Sequence, residues 1–212
     1  MLKTLGNDDR VVTEITVTNG YFDGGVGTLA GTNLSTSSLS ATQKSYYYNL
    51  QYNSKDHFSV TYGHIAGSGS DIQNTTTEGT TQAIYKQFYN FTETSAENLR
   101  DTAGFSMVDG TDGTNEVTQK DVYILAAERL QMKDRLNPGT FTLSFSGSST
   151  DGTATTLNLT DNSKTTDATA APFGEKYSLQ VGSAGVVTDT TEHGFFYPDA
   201  GIFVLSAAQM SS

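Results

Sequence analysis

Histidines are the side chains of this sequence that could most readily hold a transition metal. The three histidines are His57, His64 and His193, and each lies in or beside a predicted turn. A zinc or iron site needs several such ligands together, often as a pair at helical spacing, and these three form no such pair. We therefore interpret them as imidazoles that are solvated or that satisfy loop hydrogen bonds.

The segment 109–116 is rich in acidic residues and glycine, as calcium-binding loops are. An EF-hand loop places its oxygen ligands in a fixed alternating order, and this segment does not follow that order. We therefore interpret the segment as a polar turn.

Motifs for nucleotide binding or nucleophilic catalysis are absent from the sequence. It contains neither a Gly-x-Ser-x-Gly elbow nor a phosphate loop ending in Gly-Lys-Ser/Thr, and segment 25–31 misses the dinucleotide fingerprint by one spacing. Glycosidases need paired carboxylates, but among 23 acidic residues some pair meets the required separation by chance. The sequence thus predicts a protein that is not an enzyme, with no catalytic, cofactor-binding or metal-ligating residues and no cofactor.

Three consecutive tyrosines, residues 46–48, could form a stacking platform for a sugar. A strand, however, sends alternate side chains to opposite faces of its sheet. We therefore expect at least half of these rings to pack inside the protein or at a subunit contact.

Charge and composition exclude several classes of partner. The formal net charge is −11, with only 12 Lys and Arg, whereas nucleic-acid-binding proteins need a basic surface. No apolar run approaches the roughly 18 residues that cross a bilayer, and the first ten residues lack a signal-peptide core. We expect neither nucleic acid nor membrane as a partner.

The chain has no cysteine, and therefore no disulfide and no thiolate site.

Alternating or β-branched residues predict strands in the first part of the chain. Residues 11–17 are β-branched at nearly every position, while residues 45–52 and 58–62 alternate between apolar and polar. The latter two runs are predicted to form a hairpin across residues 53–57.

The period changes to that of a helix in residues 81–91. Ile84, Phe88 and Phe91 lie at i, i+4 and i+7, with Tyr85 beside them. This spacing predicts an amphipathic helix with one apolar face.

The remainder of the chain is predicted to be largely β. Short apolar or alternating runs, each followed by turn residues, predict strands at 122–125, 140–146, 154–160, 176–181, 194–197 and 201–205. We expect the second and third of these strands to pair, and the last two to form a hairpin across a proline turn. Short helices are expected in the last part of 126–136 and from residue 206 onward.

These elements predict a mainly β fold with one or two short helices (α+β). The expected architecture is an antiparallel sandwich or barrel-like sheet with long Gly/Ser/Thr-rich loops. We divide the chain into an N-terminal strand with an extended assembly arm at 1–44 and a β-rich domain at 45–212. The helix that starts at residue 206 leads us to expect that the chain is the N-terminal part of a longer protein.

Several segments, in the same order along the chain, resemble a known family. They include a Tyr-Gly and Gly-Ser-Gly-Ser block, an Ala-Ile-Tyr helix and an Asn-Pro-Gly block, and they span 58–70, 81–88, 121–139, 159–163 and 194–205. Together they are similar to virion structural proteins of contractile-tailed phages of cyanobacteria. In this order the segments extend across most of residues 45–206, while the first 44 residues match only loosely.

The resemblance implies a tail- or baseplate-associated virion protein, made in the host cytoplasm, that assembles with other virion proteins and copies of itself. It supplies no catalytic residues. A neck, collar or capsid-decoration protein and a receptor- or glycan-binding tail module remain the alternatives. We expect the loops 20–44 and 63–80 to be assembly contacts, because long polar loops bury little surface until they dock.

Overall fold

The computed structural model describes residues 34–36, 47–52, 55–67, 80–93, 104–109, 115–132, 134–148 and 154–210. Within them the fold is mainly β, as the sequence predicted. The strands are β1 (Leu34–Thr36), β2 (Tyr47–Tyr52), β3 (Lys55–His64), β4 (Ser106–Asp109), β5 (Asn115–Thr118), β6 (Asp121–Ala127), β7 (Leu143–Ser148), β8 (Ala154–Asp161), β9 (Thr169–Ala171), β10 (Gly174–Ser183), β11 (Val186–Val187), β12 (Gly194–Tyr197) and β13 (Ile202–Ser206). The helices are α1 (Thr80–Glu93), α2 (Arg129–Met132) and α3 (Ala207–Met210).

One antiparallel sheet forms the body of the protein. Its strand order is β1-β2-β3-β6-β13-β12-β10-β8-β7, with β9 and β11 paired to β10, and β4 and β5 form a separate hairpin. The sheet curls into a half-barrel, which confirms the barrel-like alternative of the sequence prediction. Strands β1 and β7 lie at its two ends.

The inner face of the curled sheet carries an aromatic and aliphatic core that draws on strands from β3 to β8. At its centre, the rings of Phe196 and Phe203 stack with centroids 4.7 Å apart. The Phe141 ring meets both edge-on, at 4.9 and 5.2 Å. Such aromatic contacts add to the free energy gained by burying the rings.

The outer face carries a second core beneath α1 and the β4–β5 hairpin. Phe105 and Met107 of the hairpin segment and Tyr85 of α1 are fully buried there. Strands β12 and β13 are buried along their whole length because both of their faces are covered. This explains why their sequences are continuously apolar instead of alternating.

The outer face divides into two regions that differ in cover. We call β3, β6, β13 and β12 the covered half, because α1 and the β4–β5 hairpin pack on it. We call β10, β8 and β7 the polar half, because their outer side chains are polar, as Ser144, Asn158 and Gln180 illustrate.

The predicted hairpin of residues 45–52 and 58–62 is confirmed as the pair β2 and β3. Strand β3 is longer than predicted, since it begins at Lys55 and ends at His64. It therefore takes in part of the predicted turn 53–57 and the start of the predicted loop 63–80. Backbone pairing explains the extension, because Gly63 and His64 continue the ladder with β6.

The prediction of a continuous loop through residues 20–44 is wrong at one place. Strand β1 lies within it and pairs antiparallel with β2, from Leu34 opposite Tyr52 to Thr36 opposite Leu50. A three-residue edge strand is held by backbone hydrogen bonds to its neighbour, and it is too short for its side chains to show a recognisable alternation. Residues 1–33, with the predicted strand 11–17, lie outside the described residues.

The predicted helix is confirmed as α1, but its innermost face is shifted by one residue. Thr81, Tyr85 and Thr92 are fully buried, whereas Ile84 and Phe88 are partly buried at the side of the outer core. Helical spacing places the three buried residues on one stripe. Two of the three buried residues are threonines, so this stripe does not stand out as apolar in the sequence. The prediction therefore centred on the adjacent apolar residues Ile84, Phe88 and Phe91.

The remaining predicted elements are confirmed. Strands β7 and β8 pair, and β12 and β13 form the hairpin across the proline turn. Helix α2 is the short helix predicted in the last part of 126–136, but it lies earlier, at Arg129–Met132. Helix α3 follows Ser206, whose Oγ accepts a hydrogen bond from Gln209 N at 3.2 Å, as an N-cap does.

Candidate functional site

Strand β7 is an edge strand of the sheet that the described residues form. It pairs with β8 on one side, and no other strand of the described part pairs with it. Leu143 and Phe145 face the inner core, while Ser144 and Ser146 lie on the outer face. The backbone N–H and C=O groups along the open side of an edge strand can pair with another polypeptide.

Buried hydroxyl contacts fix the chain where it enters β7. Thr160 Oγ1 donates to Phe141 O at 2.8 Å and accepts from Gly185 N at 2.7 Å. The hydroxyls of Thr142 and Ser183 are 2.8 Å apart. These bonds tie the segment before β7 to β8 and to the turn after β10, so the edge is presented in a fixed orientation.

Asp161 is a fully buried carboxylate at the end of β8. Its Oδ1 and Oδ2 both accept from Gly139 N, at 2.8 and 2.9 Å, and Oδ2 also accepts from Ser163 N at 3.3 Å. Gly139 has a φ of +73°, and the chain packs so closely that a Cβ on Gly185 would lie 2.7 Å from its Cα. Because backbone amides occupy this carboxylate, it holds the turn before β7 in place.

A half-exposed ionic cluster ties the same segment to the β12–β13 turn. Arg135 pairs with Glu175 and with Asp199, and its hydrogen bond to Glu175 raises the pKa of the guanidinium. Pro198 O accepts from Leu136 N at 3.1 Å. Solvent screens this ion pairing, so its contribution to stability is small, and its effect is to orient the segment.

The five segments 58–70, 81–88, 121–139, 159–163 and 194–205 meet one another in the fold. Gly63 of the first segment lies against Tyr85 of the second, where an added Cβ would be 3.1 Å from the helix backbone. Gly139 of the third contacts Asp161 of the fourth, and the third also reaches the fifth at Pro198. These five segments therefore contribute to the framework of the fold.

Sequence reasoning missed a buried hydrogen-bond network under α1. The Tyr85 hydroxyl donates to Gln119 O at 2.6 Å and accepts from Phe105 N at 2.9 Å. Ser206 Oγ donates to Gln119 Oε1 at 2.6 Å. Burial raises the pKa of Tyr85 to about 12. In the sequence these residues are isolated polar positions, so only their convergence in space identifies them.

A second cluster of polar side chains lies near the end of the inner face. The Tyr62 hydroxyl donates to Asp121, and His64 Nε2 is 3.7 Å from Asp121 Oδ1. The rings of Tyr62 and Tyr123 have centroids 5.5 Å apart, and Tyr123 is 41% exposed. Burial, then the bond to Asp121, raises the pKa of Tyr62, which keeps it a neutral donor. The arrangement can bind a polar ligand through a ring and a carboxylate.

The sequence predicted that each histidine lies in or beside a turn. His64 closes strand β3 immediately before a turn at 65–66, as predicted, whereas His57 lies within β3, so the prediction for His57 is wrong. Burial, followed by the charge of Lys55, lowers the pKa of His57. His193 precedes β12, with Nδ1 3.1 Å from Thr191 O. Among the described residues, no group of three or more His, Asp or Glu side chains is placed to hold a metal ion.

The other segments considered for chemistry are only partly described. The ends of the segment 109–116 are strands, because Asp109 closes β4 and Asn115 opens β5 of the same hairpin. Residues 110–114 and the glycine-rich segment 25–31 lie outside the described residues. Of the three consecutive tyrosines, Tyr47 and Tyr48 belong to β2.

The fold defines a mainly β protein with a curled antiparallel sheet. Comparisons with family models, with curated proteins and with solved structures find no match to the chain. None of the helices in the described ranges is long and apolar enough to cross a membrane.

Proposed function

We propose that this chain is a structural component of a bacteriophage virion, associated with the tail or baseplate. It acts by assembling with other virion proteins and with copies of itself. The observation that carries the proposal is the edge strand β7, which pairs with β8 and with no other described strand, on a sheet whose inner face is filled by its own core. A sheet edge recognises an extended polypeptide, which makes assembly the function that this surface supports best.

Two further observations support this proposal. The segments that resemble phage virion proteins are framework residues, and a shared framework is what relatives with different assembly contacts retain. The net charge of −11 makes free copies repel one another, which favours specific docking over indiscriminate association.

The direct test is to find the chain in an intact particle. Purified particles of the source phage would be analysed by mass spectrometry and by electron cryo-microscopy, with the half-barrel fitted into the map. We expect several copies in the tail or baseplate. Copies in the neck, collar or capsid surface would select those alternatives, and absence from the particle would refute the proposal.

A second function, binding of a glycan, is favoured by the exposed ring of Tyr123 beside Tyr62 and Asp121. Sugars bind to proteins by stacking on aromatic rings and by donating hydrogen bonds to carboxylates. The test is binding of host polysaccharide to the isolated protein and to Tyr123→Ala. Phe173→Ala is the matched control, because Phe173 is also an exposed aromatic, at 43%. Equal binding by both variants would exclude this site.

A further inference from the structure

We propose that the polar cluster near the end of the inner face binds an amino sugar whose amine is free and protonated. This inference rests on the proposed glycan-binding function and names the class of sugar that the site takes. The cluster lies on the described strands β3 and β6 and consists of Tyr62, His64, Asp121 and Tyr123.

Pairing of the two strands brings the four side chains to one surface. Tyr62 lies directly opposite Tyr123, and His64 lies directly opposite Asp121. The two members on each strand are two residues apart, so all four side chains point to the same face of the sheet. The Cβ atoms of directly opposed residues are about 4.5–5.5 Å apart. One sugar ring can therefore contact the carboxylate and an aromatic ring at the same time.

Hydrogen bonds fix the orientation and the charge of the cluster. The Tyr62 hydroxyl donates to Asp121 Oδ1. Ala66 N donates to His64 Nδ1 at 3.0 Å, so this nitrogen carries no proton and the ring is neutral, with its proton on Nε2. His64 Nε2 lies 3.7 Å from the same Oδ1, and the Asp121 side chain is 40% exposed. The carboxylate is thus held in place while a ligand can still reach it.

The charge of the site favours a cationic ligand. Among the described side chains, no lysine or arginine lies within ion-pair distance of Asp121. A neutral ligand that covers this carboxylate removes its hydration without supplying a counter-charge, whereas an ammonium group forms a charge-assisted hydrogen bond with it. The net charge of −11 also attracts cations to the protein.

The tyrosine rings supply the second part of the recognition. Tyr123 is 41% exposed, and its ring is tilted by 48° against that of Tyr62. The apolar face of a sugar ring can stack on the exposed ring, and an ammonium group within about 6 Å of the ring centroid is attracted to its face. An amino sugar carries both an apolar face and an ammonium group, so it matches the site better than a neutral sugar does.

A matched pair of ligands tests the inference. Calorimetry at neutral pH would compare binding of the full chain to a glucosamine tetramer and to the same tetramer with every amine acetylated. Acetylation removes the positive charge, so we expect the glucosamine tetramer to bind about tenfold more tightly. Equal affinities, or tighter binding of the acetylated tetramer, would overturn the inference and leave glycan binding standing. Binding of neither tetramer would overturn the inference as well, while binding of host polysaccharide decides separately whether the glycan function fails with it.

Two variants of equal charge separate the site from a general attraction of cations to an acidic protein. Asp121→Asn and Asp167→Asn each remove one negative charge, and Asp167 is exposed. Asp121→Asn should weaken binding of the glucosamine tetramer about tenfold, whereas Asp167→Asn should change it by less than about twofold. Equal weakening by both would refute the site.

The contribution of the ring is measured with two substitutions of one residue. Tyr123→Ala should weaken binding of the glucosamine tetramer about fivefold, whereas Tyr123→Phe keeps the ring and should stay within about twofold of the parent. Circular dichroism verifies that each variant is folded. Equal affinities of the two variants would show that the ring does not hold the ligand, and the inference would fail while the virion proposal is unaffected.

Discussion

The covered and polar halves of the outer face are built from the same sheet but are held by different interactions. In the covered half, Val122, Ile124 and Val204 are fully buried beneath α1 and the β4–β5 hairpin. In the polar half, Asn158 is exposed, and Thr160 and Gln180 are buried polar residues bonded to loops. Apolar packing stabilises the first half, and a few buried hydrogen bonds hold the second.

This difference has consequences for how each half tolerates change. Apolar contacts are numerous, and each contributes little, so stability there follows the volume of side chain that is buried. A buried polar group must keep its partner, because an unpaired one loses its hydration without compensation. We therefore expect loss of apolar volume to matter in the covered half and loss of single hydrogen bonds to matter in the polar half.

The largest effect is expected for Ile124→Ala in the covered half. The side chain is fully buried between β6 and the outer core, so its truncation should lower the free energy of unfolding by about 2–5 kcal/mol. Asn158→Ala, on the exposed outer face of β8, is the matched change and should cost less than about 0.5 kcal/mol. Urea unfolding followed by circular dichroism measures both. Similar losses would contradict the division of the face.

In the polar half, the most sensitive residue should be Asp161. Asp161→Asn replaces one acceptor oxygen by an amide that faces the Gly139 N–H, which should cost about 1.5–3 kcal/mol. The exposed carboxylate of Asp167 provides the control, since Asp167→Asn should be nearly neutral. Thermal unfolding compares the two. An unchanged melting temperature for Asp161→Asn would mean that the hydrogen bonds between Asp161 and Gly139 N do not stabilise the turn before β7.

A glycine on strand β3 and a glycine on strand β7 give a sharper comparison. Gly63→Ala would place a Cβ 3.1 Å from the Tyr85 backbone and should cost about 1–3 kcal/mol, because α1 must move away from β3. Gly147→Ala meets nothing within 4 Å and should leave stability unchanged or raise it by up to about 1 kcal/mol. Chemical denaturation of both variants is the measurement. A neutral Gly63→Ala would refute the close approach of helix and sheet.

The smallest expected effect concerns the hydroxyl of Tyr85. Tyr85→Phe leaves Gln119 O and Phe105 N without their partner and should cost about 1–2 kcal/mol at neutral pH. Burial raises the pKa of Tyr85 to about 12 from an ordinary value of 10.0. Unfolding therefore releases a proton between these values, and stability should fall as the pH rises from 10 toward 12.

The pH dependence provides its own control. In Tyr85→Phe the fall in stability above pH 10 should be smaller than in the parent chain. Tyr62, whose pKa is also raised, accounts for part of the fall that remains. Denaturant unfolding at pH 9, 10 and 11 measures the difference. Identical slopes for the two proteins would show that the Tyr85 phenol does not titrate differently on folding.

Much of the fold was predictable because local pattern and tertiary environment agree. The alternation of Phe141, Leu143 and Phe145 predicted β7 and its inward face, and the apolar runs predicted β12 and β13. Strand β1 was missed, because a three-residue strand held by its ladder leaves no period to detect.

The candidate edge was only half predictable. The sequence indicates that residues 140–146 form a strand, but an edge strand and an interior strand with one polar face share the same alternation. The order of the strands in the sheet differs from their order in the chain: β13 lies between β6 and β12, and β7 lies at one end with β8 as its one described neighbour. Such order is set by contacts between residues far apart in the chain.

The amino-acid sequence alone determined that this chain is acidic, free of cysteine and mainly β, with one amphipathic helix. Side-chain period and residue type are sufficient for these properties. Only the tertiary structure decided that Tyr85 is central beneath α1, that Asp161 clamps the turn at Gly139, and that β7 ends the sheet. Each of these depends on groups distant in sequence meeting within hydrogen-bond or packing distance, which no local pattern records.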